Sequence, residues 1–189
     1  MKKYLMIFLA VLLFSTAVSA QTDGYIGLFA DDTRTAWCKS GSSFPVIFEM
    51  YIFCLPRADG MFCAEFMIDY PADPTVITAT VTQGAGISIV KGDLASGVSV
   101  CYLECQNDWV WPFHQMIVLQ SANKNVISIV DHPESHAILF NCCVEPRPIY
   151  DAVVFTNLYL QYEVGVDPEC SETATAELTW GAIKSIYTE

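Results

Sequence analysis

The chain predicts an all-β fold, an antiparallel β-sandwich, on two observations. Short apolar or alternating runs recur about every ten residues, and Gly, Pro, Asn or Asp interrupts them each time. No repeat, low-complexity tract or linker divides the chain, and ten or so short strands in one domain favour a sandwich over alternating βα units.

The runs fall in this order. Tyr25 to Ala30 ends at Asp31-Asp32. Val46 to Cys54 is apolar on nearly both faces, as a buried central strand would be. Phe62 to Tyr70 alternates most clearly, with Phe62, Ala64, Phe66, Ile68 and Tyr70 on one face and Cys63, Glu65, Met67 and Asp69 on the other. Val76 to Thr82 is rich in β-branched residues. Ile87 to Val90, Val98 to Leu103, Gln115 to Gln120, Val126 to Val130, Ala137 to Cys142, Ala152 to Phe155 and Leu158 to Val164 complete the set. Near the C-terminus, Trp180, Ile183 and Tyr187 recur at helical spacing behind Thr179, which predicts a short helix.

The first 20 residues read as a secretory signal peptide: Lys2 and Lys3, an apolar run from Tyr4 to Phe14, then small residues to Ala20. The run is shorter than the roughly 20 residues a spanning helix needs. Cleavage before Gln21 leaves residues 21–189 as a single disulfide-containing domain, with no transmembrane segment after it. That length can bury a core of its own.

Cleavage also leaves seven basic residues against 21 acidic ones. The bases are scattered, so there is no stripe to neutralise phosphates, and nucleic acid is excluded as a partner. An anionic membrane surface is a poor partner on the same ground. Behind a signal peptide, the even set Cys38, Cys54, Cys63, Cys101, Cys105, Cys142, Cys143 and Cys170 predicts four disulfides in an oxidising compartment. If Leu55 to Gly60 connects a hairpin, Cys54 and Cys63 lie opposite each other and bond. That register turns Glu49 inward, which counts against it.

The segment Phe62-Cys63-Ala64-Glu65-Phe66-Met67-Ile68-Asp69-Tyr70-Pro71, preceded by a strand and a glycine-bearing turn, resembles the second hairpin of cohesin-like sandwiches, a relative of immunoglobulin-like architecture. The likeness covers residues 44 to 103. It implies an extracellular adhesion or scaffold module and brings no binding residues with it. The tail from Thr179 to Tyr187 resembles those of uncharacterised secreted bacterial proteins.

The chemistry-bearing patterns are sparse. His132 and His136 are four apart, but Pro133 lies between them, so an exposed loop is the simpler reading than a zinc site. No Gly-x-Ser-x-Gly elbow occurs. A glycosidase pair could be nominated from any two of the acids, so an extracellular hydrolase remains an alternative without residues. No cofactor is required. Calcium is the one ion with candidate loops, at Asp31-Asp32, at Asp69 with Asp73, and at Asp167 with Glu169 and Glu172, none of which matches the twelve-residue calcium loop.

The aromatic strip is the most informative feature. Trp109, Trp111 and Phe113 alternate, which in an extended strand puts three rings on one face, with His114 beside them. Pro112 points to a sheet edge. Core packing is the simpler fate for such rings. An exposed platform for sugars, oriented by Asn107, Asp108, His114 or Gln115, is the alternative. The sequence thus predicts an exported, non-catalytic sandwich that binds or scaffolds, in the periplasm, at the cell surface or outside the cell. Its expected partner is another extracellular protein or a glycan.

Overall fold

The computed structural model describes residues 23–39, 45–71, 76–119 and 125–160. The signal segment, the Thr179 to Tyr187 helix, Cys170 and the acids Asp73, Asp167, Glu169 and Glu172 lie outside the described residues.

Twelve strands form: β1 (Gly24–Phe29), β2 (Cys38–Lys39), β3 (Val46–Leu55), β4 (Met61–Asp69), β5 (Val76–Gln83), β6 (Ile87–Asp93), β7 (Gly97–Gln106), β8 (Val110–Leu119), β9 (Asn125–Val130), β10 (Leu139–Asn141), β11 (Ile149–Thr156) and β12 (Leu158–Leu160). No helix occurs among the described residues. Each predicted run overlaps a strand, and that of Gln115 to Gln120 covers the second half of β8. The front layer runs β11-β1-β3-β8-β5. The back layer holds β6-β7-β4-β10-β11, extended by β9, β12 and β2. All pairs are antiparallel except β1 with β11 and β2 with β12.

Two strands change partners along their length and so bind the sandwich together. β11 pairs with β10 through Ile149 to Asp151, then with β1 from Ala152 onward. β4 pairs with β7 and β10 up to Phe66, then with β9 from Met67. Between the layers the alternating inward residues meet. The core contains Ile26, Met50, Ile52 and Ile117 from the front and Ala64, Phe66, Ile68, Val100 and Tyr102 from the back. The Phe66 and Phe113 rings cross it edge to face at 6.4 Å. Tyr70 at the end of β4 donates its hydroxyl hydrogen to Gln115 Oε1 on β8, a polar tie between layers. Burial pushes the Tyr70 phenol up, so it stays a donor.

The expected hairpin between Cys54 and Cys63 does not form. β3 pairs with β1 and β8, and residues 56–60 carry the chain across to β4 in the other layer. Cys54 therefore lies opposite Ile26 and Val110, while Cys63 faces and bonds Cys101 on β7. The reason is the one noted against that hairpin: β3 turns Phe48, Met50, Ile52 and Cys54 inward and Glu49 outward. A second bridge joins Cys105 at the end of β7 to Cys143. It lies against Gly60, whose φ of +75° and proximity to both sulfurs leave no room for a Cβ. Cys38 is also disulfide-bonded.

Cys54 and Cys142 are buried thiols, which corrects the expectation that all eight cysteines pair. Burial pushes the Cys54 thiol far above its usual range, because the apolar core disfavours a thiolate. Alkylation of the native protein should leave both untouched. After unfolding without reduction, Cys54 and Cys142 should be labelled and Cys63, Cys101, Cys105 and Cys143 should not; a label on either bridge would refute the pairing. Each bridge closes 38 residues of sequence. By loop-closure entropy each stabilises the fold by about 4 kcal/mol before any strain. Replacing Cys63 and Cys101 together with Ala should therefore lower denaturant stability by roughly 2–4 kcal/mol.

Candidate outer-face site

The front layer's outer face is set by the alternation of its two central strands. On β3, Ile47, Glu49, Tyr51 and Phe53 point away from the core residues. On β8, Phe113, Gln115, Ile117 and Leu119 are buried, which leaves His114, Met116 and Val118 outward. The register sets Ile47 beside Val118, Glu49 beside Met116 and Tyr51 beside His114.

A bulge then breaks the aromatic alternation. Ile52 pairs with Phe113, but Cys54 pairs with Val110, so Trp111 and Pro112 together oppose Phe53. The extra residue flips the phase of β8. Trp109 and Trp111 face outward, whereas Phe113 enters the core at 3% exposure. The expected three-ring row is therefore two tryptophans followed by His114, and Gln115, expected to orient a sugar, is committed to Tyr70 inside. The Pro112 carbonyl accepts the Gly84 amide at 2.8 Å, and a Cβ on Gly84 would strike the Trp111 carbonyl.

The rings are arranged in two groups. In the first, Phe29 and Phe53 are buried although they lie outside the inter-layer core. Trp109 meets both edge-on at 6.5 and 6.3 Å, and Phe155 stacks on Phe29 at 6.2 Å. The Arg34 guanidinium sits 5.2 Å from the Phe53 centroid and 5.1 Å from Trp109, a cation–π cover. The turn that delivers Arg34 is closed by Ala30 N–H donating to Ala36 O, and by Asp31 accepting from the Thr35 amide and hydroxyl. Both oxygens of Asp31 are thus engaged by Thr35.

The second group is more open. The His114 ring stacks on Tyr51 at 5.3 Å and lies 5.3 Å from Trp111. Tyr51 donates its hydroxyl hydrogen to Glu49 Oε2, and His114 Nδ1 lies 3.6 Å from the same oxygen. The bond to Glu49 is the main reason the Tyr51 phenol is pushed up to about 12, with burial and the charges of Glu49 and Asp32 adding to it. Beyond this group, Ile47 and Met116 are 61% and 39% exposed. The face thus grades from a sealed aromatic cluster, through a polar-tipped ring group, to bare aliphatic side chains. Binding patterns in the sequence pointed to Trp109, Trp111 and His114. They missed Ile47, Glu49, Tyr51 and Met116, whose only signal was their odd-numbered phase on β3 and the shifted phase of β8.

The other candidates lie elsewhere. His132 is buried, and its Nδ1 accepts the Glu134 amide at 3.2 Å within a turn closed by the His132–Ala137 bridge. His136, at φ +55°, belongs to that turn. Among the described residues no three metal-ligating side chains come together. Asn107 and Asp108 are exposed, and Asp108 accepts the Trp109 amide at 2.7 Å. No helix of the described residues is long and apolar enough to cross a membrane.

No protein-family model matches the chain, and no curated protein matches it. Solved structures do. The seventh ScaB type I cohesin of Pseudobacteroides cellulosolvens superposes with a TM-score of 0.51 at 9% identity, over 80% of this chain and 99% of that one. A non-cellulosomal cohesin from Archaeoglobus fulgidus gives 0.51 at 10% identity, over 82% and 100%. The cohesin module of a family 33 glycoside hydrolase from Clostridium perfringens gives 0.50 at 13% identity, over 75% and 99%. The chain shares the cohesin-like β-sandwich fold with these modules.

Proposed function

We propose that this protein is an exported, non-catalytic binding or scaffold module that docks another extracellular protein on the outer face of β3 and β8. The observation that carries the reading is the row Ile47–Met116 beside the half-open Tyr51–Trp111–His114 group. Exposed aliphatic side chains next to rigid aromatic anchors are what a protein interface uses at its centre. The flat sheet offers breadth, and standard interfaces cover about 800 Å² per partner. The cohesin-like fold supports a binding role, and the disulfides support an oxidising compartment. The back layer also exposes Ile89 and Leu103, on β6 and β7.

A glycan is the second reading, favoured by the partly exposed Trp111 and its polar neighbours. The geometry gives it less support than the sequence did, because Trp109 is clamped by Arg34 and Phe113 is internal. Ile47→Asp and Met116→Asp should cost roughly 1 kcal/mol of stability, from the poor strand propensity of Asp and, at position 116, from the like charge of Glu49 opposite, and should leave the fold intact. Each should abolish retention of a protein partner that the immobilised wild type draws from an extracellular fraction. A partner held equally well by both variants would overturn the assignment. On a glycan array, binding that Trp111→Ala removes and Ile47→Asp spares would transfer the site to the sugar reading. As a control on side-chain placement, Phe113→Ala should destabilise by roughly 3–5 kcal/mol.

A further inference from the structure

We infer that the partner presents apolar side chains flanked by lysine or arginine; this rests on the docking face proposed above. The charge pattern of the face carries the inference. Its five strands contain no Lys and no Arg. Their acids are Glu49 and Asp151. One cation lies over the rings of this face, Arg34 over Phe53 and Trp109. Glu49 is different. Its Oε2 accepts the Tyr51 hydroxyl, with His114 Nδ1 3.6 Å away, so the carboxylate is held in place by Tyr51, while Oε1 has no partner among the described residues. The group is about half exposed, at 52%. It stands directly opposite Met116 and two residues from Ile47, at the border of the aliphatic patch. Asp32 adds a second exposed carboxylate near enough to Tyr51 to act on its phenol.

A fixed acceptor beside exposed apolar groups recognises a cation whose stem packs on those groups. Lysine and arginine have that build, with an aliphatic stem and a charged head. A second copy of this chain is disfavoured, because a face-to-face dimer would bring Glu49 towards its own copy and like charges in an interface cost free energy. An acidic partner meets the same repulsion.

The test uses a phage library of a small three-helix scaffold, randomised on one face and selected on the full wild-type chain. Clones are then ranked for dependence on Ile47 with the Ile47→Asp variant. Clones that need Ile47 should be enriched in Lys and Arg over Asp and Glu. Their affinity should fall about tenfold against Glu49→Lys, less against Glu49→Gln, and should weaken from roughly 0.05 to 0.5 M salt. Clones that need Ile47 but lack basic residues, or ignore Glu49→Lys, would overturn the inference while leaving the docking face intact. A selection that yields no Ile47-dependent clone would instead remove the docking face. Sedimentation of the wild type as a dimer that Ile47→Asp dissociates would assign the face to a second copy and overturn the basic partner. Thermal midpoints well above the assay temperature for all variants keep these outcomes separate from misfolding.

Discussion

The residue inserted into β8 at Trp111–Pro112 is the constraint on which the front layer depends. β3 pairs on both sides, with β1 in unbroken register, and its phase is fixed by the need to bury Met50, Ile52 and Cys54. β8 must turn Val110 towards the core at one end and bury Phe113, Gln115, Ile117 and Leu119 at the other, and these two sets are out of step. A regular strand cannot satisfy both, since a one-residue slip exchanges the faces. The bulge absorbs the difference. Proline suits the place because it has no amide hydrogen to leave unpaired. As a result Phe113 supports the core against Phe66, while Trp109 and Trp111 are released to the outside.

The released rings in turn create the outer face. Trp109 and Arg34 seal Phe29 and Phe53, which would otherwise leave a broad apolar patch on the sheet. Trp111 supports His114 and, with it, Tyr51, and Glu49 accepts the Tyr51 hydroxyl. The rigid part of the face therefore ends at Glu49. Ile47 and Met116 continue it with side chains that nothing in the described structure covers.

Period-two patterning made the layers legible in the sequence. In Phe62 to Tyr70 the buried set Ala64, Phe66 and Ile68 is the one the alternation indicated. The two-faced apolarity of Val46 to Cys54 likewise marked β3 as central, and its inner and outer rows are both partly buried. Connectivity was less visible. Leu55 to Gly60 has the composition of a hairpin turn, but a crossing between layers needs the same residues, so local chemistry cannot distinguish them. The pairing of Cys63 with Cys101 follows from that crossing and was hidden with it. The bulge was also hidden, because Trp-Pro-Phe reads as regular alternation until the partner strand is known. The candidate face was legible only in its rings; its aliphatic half emerged from register.

The distribution of covalent links has its own consequence. The bridges Cys63–Cys101 and Cys105–Cys143 lie within the back layer or at its end, and among the described residues no disulfide joins the front strands β1, β3, β8 and β5 to their neighbours. The two layers therefore differ in how far they can separate. Under partial denaturation the stapled layer retains its loops closed, whereas the unstapled one can part strand by strand from its free margin at β5. The surface most suited to meeting a partner sits on the layer with the greater local freedom, so amide exchange there would sense occupancy of that surface before the rest of the molecule does.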